Sequence, residues 1–133
     1  MSIFESSSFL RRVLLADAVI SGTTGLLLLV GAGSLTALLG IPEDFMRYTG
    51  ASLLPFAGLV GYLATRERLP RAAVWAVIVY NVLWAVDSAL ILMTGWLAPS
   101  ALGYAFIVAQ ALVVAVLAEL QYFGVRRSSV ALA

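Results

Sequence analysis

From Val13 to Pro42 the chain carries one charged side chain, Asp17, and from Ala72 to Ala118 it again carries one, Asp87. Stretches so long and so poor in charge cannot form a solvated globular surface. A helix of about 20 predominantly apolar residues crosses about 30 Å of hydrocarbon, so these tracts predict membrane-spanning helices. The hydrophobic share is 62% and the charged share 11%, against roughly 45–50% and about 25% in soluble domains. Little chain is left over once the apolar tracts are counted. We expect an all-α, integral membrane four-helix bundle occupying residues 1–133 as a single unit.

The breaks follow from turn chemistry. "GIPED" ends the first helix, because Gly40 suits a C-cap and Pro42 cannot continue the backbone ladder. "RERLPR" reads as a tight basic turn, "TGWLAPS" as another, and "GVRR" ends the last helix. The expected helices are about 9–39, 45–65, 72–93 and 99–123. Arg11 and Arg12 ahead of an apolar run could open a signal peptide, but the run contains Asp17 and is too long, so it is expected to be retained.

Seven of the eight basic residues fall before the first helix, between the second and third, and after the fourth; only Arg47 lies elsewhere, beside Glu43 and Asp44. The positive-inside rule then puts both termini in the cytoplasm. Short loops imply an up-down-up-down order. Small residues along the first helix mark a packing face, where Asp17, Ser21, Thr24, Leu28, Gly31 and Leu35 share a stripe at about 100° per residue. An internal echo also appears, with Asp17 matching Asn81, Gly31 matching Gly95 and Leu38 matching Leu102, as a parallel hairpin repeat would produce.

The chain has no His, Cys or Lys. Bis-histidine haem, thiol chemistry, Cys or His zinc sites and Schiff-base chemistry are excluded for this chain alone. We expect no metal, no cofactor and no enzymatic activity, and the even charge balance gives no case for nucleic acid. What remains is a belt of polar side chains at mid-membrane depth. Asn81, Trp84 and Asp87 on the third helix, Thr24 on the first, Ser52 and Pro55 on the second and Gln110 on the fourth are the candidate ligand-binding residues. An isolated ionised carboxylate there costs at least about 2.5–3.5 kcal/mol, so Asp87 is expected to be neutral or partnered, with Gln110, Ser52 or Tyr104 accepting or donating. The plainer alternative is interhelical glue at about 0.6 kcal/mol per bond. Asp17 and Glu119 are expected nearer the cytoplasmic edge, in structural ion pairs with Arg12 and Arg126.

The pattern "RRVLLADAVISGTTGLLLLVGAGSLTALLGIP" with "NVLWAVDSALILMTGWLAPSALGYAFIVAQALVVAVLAELQYFGVRR" covers most of the chain. It resembles the small four-helix inner-membrane proteins of bacteria and, in size, hairpin pairing and Gly-rich first helix, the DoxX-like group. That resemblance implies an accessory role near membrane redox or quinone systems. Two functional classes stay open. One is a non-enzymatic bundle that binds a lipid or quinone-like molecule, or serves as a small subunit of a membrane complex. The other is a proton-coupled transporter or channel working as a homo-oligomer. Membrane lipids are partners in both.

Overall fold

A computed structural model describes residues 3–128. Among these residues four helices carry the fold: α1 (Ser8–Leu39), α2 (Glu43–Ala64), α3 (Arg71–Thr94) and α4 (Ala101–Arg127). Two short strands, β1 (Ile3–Glu5) and β2 (Arg68–Pro70), precede α1 and α3. Two of the helix starts are capped by a serine side chain. Ser7 caps α1 by accepting from the Leu10 N–H, and Ser100 caps α4 by accepting from the Gly103 N–H. Gly40 and Gly95 adopt left-handed φ values of 67° and 71° and stop α1 and α3.

The helix limits differ from expectation where side-chain geometry intervenes. The fourth helix runs on to Arg127, because Gly124 is an interior packing residue that lies against Leu10 of α1. "RERLPR" is also more than a turn, since Arg68–Pro70 pairs antiparallel with Ile3–Glu5, matching Phe4 to Leu69. Both of these central side chains are buried, so the small sheet seals one end of the helices.

The chain thus runs strand, helix, helix and then strand, helix, helix. An antiparallel strand pair has a local two-fold relation, and the echo partners Asp17 and Asn81, 64 residues apart, meet in a 2.9 Å hydrogen bond. Further along the match lapses: Gly31 lies inside α1 whereas Gly95 caps α3, because α1 has 32 residues and α3 has 24.

α1, α3 and α4 are long and apolar enough to cross a membrane; α2 is not among the helices that are. The expectation of four apolar spans is met by three. α2 spends positions on Arg47, Thr49, Gly50, Ser52 and Pro55, of which Gly50 is buried and follows from how the helix packs. Gly50 and Gly25 approach so closely that a Cβ on Gly50 would lie 2.6 Å from the Gly25 carbonyl oxygen, and one on Gly25 would lie 3.0 Å from that of Gly50. This backbone-to-backbone seam joins α1 to α2, as small residues do where lipid supplies no hydrophobic drive.

α4 lies antiparallel to α1. At one end Ser100 donates its N–H to the Leu39 carbonyl (2.9 Å) and its hydroxyl to the Leu38 carbonyl (2.7 Å). At the other, the Ser7 N–H donates to Ser128 Oγ at 3.0 Å. That second end gathers Arg11, Arg12, Arg66, Arg68, Arg71, Arg126 and Arg127 around the strand pair, with Arg71 over the Phe4 ring and Arg127 over the Phe9 ring. Arg47 lies at the opposite end, in an ion pair with Glu43. The apolar core is divided accordingly. One cluster (Phe4, Leu10, Leu14, Val60, Leu69, Val74) sits at the arginine end and another (Leu28, Ala32, Ile41, Met46, Leu97, Ile107) at the far end. Polar side chains and two cavities lie between them.

Candidate functional site

The stripe on α3 that faces inward carries Trp84, Ser88 and Ile91, one turn apart from each other, and on α4 the inward stripe runs through Ile107 and Gln110. These two faces meet in a closed set of hydrogen bonds. Trp84 Nε1 donates to Gln110 Oε1 (2.7 Å), Gln110 Nε2 donates to Ser88 Oγ (3.0 Å) and to its own helix at the Ile107 carbonyl (2.9 Å), and Ser88 Oγ donates to the Trp84 carbonyl (2.8 Å). Both amide hydrogens of Gln110 and the indole N–H are thereby satisfied. The amide holds the indole ring in one orientation across the interhelical space.

This bonded group is a partition between two cavities. The first, of about 220 Å³, extends from it toward the far end and is bounded by all four helices, including Thr24, Phe45, Thr49, Asp87 and Phe106. The second, of about 250 Å³, extends toward the arginine end past Ser21, Leu53, Tyr80 and Asn81. Thr24, Trp84, Phe106 and Gln110 line both. A cavity of about 150 Å³ can hold benzene, so each has room for a substituted ring. The Tyr80 ring stacks on Phe56 of α2 at 4.0 Å and on Trp84 at 5.9 Å, extending an aromatic wall from α2 to the partition.

The expected belt is therefore split. Thr24, Trp84 and Gln110 line both cavities, Asp87 the first and Asn81 the second. Ser52 and Pro55 line neither and are exposed; the Ser52 hydroxyl donates to the Thr49 carbonyl of its own helix at 2.8 Å. Asp87 is also corrected. It is exposed at the edge of the first cavity, and none of the expected bonds to Gln110, Ser52 or Tyr104 forms, since Gln110 is saturated by Trp84, Ser88 and Ile107.

The largest departure concerns Asp17. It is fully buried rather than edge-seeking, and its partners are amides and a hydroxyl rather than arginines. Asn81 Nδ2 (2.9 Å) and Gln121 Nε2 (2.6 Å) both donate to Oδ2, Ser21 Oγ donates to Oδ1 (2.9 Å), and Asn81 Nδ2 is also within 3.0 Å of Gln121 Oε1. Asp17 lies on the Ser21, Thr24 and Leu28 stripe, and that face turns toward α3 and α4 at a depth of about 14 Å from the start of α1. Snorkelling would have to point the carboxyl out of the packed interior. Arg12, Glu119 and Arg126 are exposed, Arg126 lies over the Tyr122 ring at 5.7 Å, and among the described residues Arg47–Glu43 is the one ion pair.

Gln121 was not among the expected site residues. Its signal was available: eleven residues past Gln110 it returns to within about 20° of the same face, the face that carries Gly103 and Ile107. Among the described residues no group of three or more His, Cys, Asp or Glu side chains is placed to hold a metal ion. Compared with known families, curated proteins and solved structures, the chain finds no match in any of the three.

The partition makes a direct prediction. Gln110→Leu leaves the Trp84 N–H without its acceptor in an apolar setting, and should destabilise the protein by about 1–2 kcal/mol. In a background with Trp75→Phe and Trp96→Phe, the remaining Trp84 emission should move to shorter wavelength on that substitution. Unchanged emission would show that the indole bond is not formed in the folded protein.

Proposed function

We propose that this chain is a non-enzymatic bacterial inner-membrane protein, an up-down-up-down bundle with both termini cytoplasmic, that binds a lipophilic small molecule in the first cavity. The membrane location is supported by three helices of spanning length and apolarity. The orientation is supported by the seven arginines at one end against Arg47 alone at the other. The reading of binding rests on one observation: a 220 Å³ apolar cavity bounded by all four helices, with an aromatic and amide partition held rigid at its base. A cavity of this kind between bundle helices, with few polar groups among many apolar ones, is the usual form of a small-molecule site.

The test uses Trp84 as reporter in the Trp75→Phe, Trp96→Phe background. 1-Bromo-4-butylbenzene, an apolar substituted ring whose bromine quenches indole emission, should quench Trp84 saturably in detergent solution. Thr49 lines the first cavity and not the second, so Thr49→Phe fills the first selectively and should weaken that quenching by about tenfold or more, the loss expected when 1.4 kcal/mol of binding is removed. Quenching that rises linearly with quencher, and equally in Thr49→Phe, overturns the reading.

A further inference from the structure

We infer that the occupant of the first cavity is a lipophilic cation, an amine or quaternary ammonium attached to an apolar body; this rests on the reading of that cavity as a binding site. The polar groups on the wall divide into those already used and those still available. Trp84, Gln110 and Ser88 satisfy one another. Thr24 and Thr49 carry hydroxyls, which donate or accept equally well and favour no sign of charge. What is left is the Asp87 carboxyl. It is the one charged side chain on the wall, it is exposed where the cavity opens, and among the described residues it has no hydrogen-bond or ion-pair partner.

A carboxylate accepts and does not donate, so its complement is a donor or a positive charge. A quinone presents carbonyl oxygens, which are acceptors, and would meet Asp87 as like with like. A cation would do the reverse and neutralise a carboxylate that is costly to leave alone at this depth. The rest of the wall agrees. Phe45, Trp84 and Phe106 come from three different helices and present aromatic rings to the same space, the surroundings in which cations are held over ring faces. The field of the molecule has the same sign. All the arginines but Arg47 lie at the opposite end, and Arg47 is committed to Glu43, which leaves Asp44 and Asp87 uncompensated on the cavity side.

The test compares two ligands of nearly the same shape, benzyltrimethylammonium and its uncharged counterpart 2,2-dimethylpropylbenzene, by titration of Trp84 emission in a neutral maltoside detergent. The charged ligand is expected to bind at least about tenfold more tightly than the neutral one. Asp87→Asn is expected to abolish that preference. Asp87 makes no bond among the described residues, so the variant keeps its structure, and the comparison with Asp87 in place, in the same Trp75→Phe, Trp96→Phe background, stands without it. Equal binding of the two ligands overturns the inference and leaves the lipophilic site intact. A preference that persists in Asp87→Asn also overturns it, because the charge is then read elsewhere. If neither ligand saturates, the inference and the binding function fall together.

Discussion

Gly103→Ala is expected to destabilise the protein more than any other single methyl group added to it, by about 3 kcal/mol. A Cβ at this position runs directly into the Leu39 carbonyl, with the Leu39 carbonyl carbon 2.8 Å away and the Pro99 side chain at 3.0 Å. The obstacle is backbone, so no rotamer change relieves it, and overpacking of this kind costs about 1–3 kcal/mol or more. The same contact holds the Ser100 bonds to Leu38 and Leu39, and these open if α4 backs away. Gly58, with open space around it, is the control: Gly58→Ala should cost nothing and can gain from the better helix propensity of alanine. Denaturant titration followed by circular dichroism in detergent would measure both. A Gly103→Ala midpoint equal to that of Gly58→Ala would mean that α1 and α4 are not packed end to end.

Asp17→Ala is the second large effect, and its partner variant shows whether charge or hydrogen bonding is responsible. Removing the carboxyl deprives Asn81, Gln121 and Ser21 of their common acceptor. Bonds of this type inside membrane proteins average about 0.6 kcal/mol, so three give about 2 kcal/mol. The alternative figure of about 1–3 kcal/mol for each buried unsatisfied group is too high here, because Asn81 and Gln121 can still bond to each other. Asp17→Asn keeps an acceptor oxygen for the two amides and turns its own amide toward Ser21 Oγ, which can accept. It should therefore cost less than about 1 kcal/mol. If Asp17→Asn is as damaging as Asp17→Ala, the carboxyl acts through its charge and not as a shared acceptor.

The contrast between Asp17 and Asp87 shows how far the residues alone could be read. Both are single charges in long apolar tracts, and depth along each helix was the available guide. Depth ranked Asp87 as the buried partner of other helices and Asp17 as an edge residue able to reach arginine. The structure reverses the two, because burial depends on the angle around the helix as well as the distance along it. The Asp17, Ser21, Thr24 and Leu28 stripe was visible from spacing, and it did predict the face that packs; what it could not show was that Asn81 and Gln121 stand opposite that face, nearer than any guanidinium. For Asp87 the expected partner, Gln110, is taken by Trp84 and Ser88. Competition for a single amide is a three-dimensional matter.

Local composition was enough for much that depends on one segment at a time: three of the four expected apolar spans, the breaks at Gly40 and Gly95, the clustering of arginine and the absence of His and Cys that removes whole classes of chemistry. These follow from the solvent a segment requires and the backbone angles its residues permit. The strand pair between Ile3–Glu5 and Arg68–Pro70, the glycine seam between α1 and α2, the Asp17 amide network and the division of the interior into two cavities each need residues far apart in the chain to meet at contact distance. Only packing decides such meetings, because a buried donor or carbonyl bonds to whichever group the neighbouring helix brings within about 3 Å, and helical periodicity gives a direction without saying what lies along it.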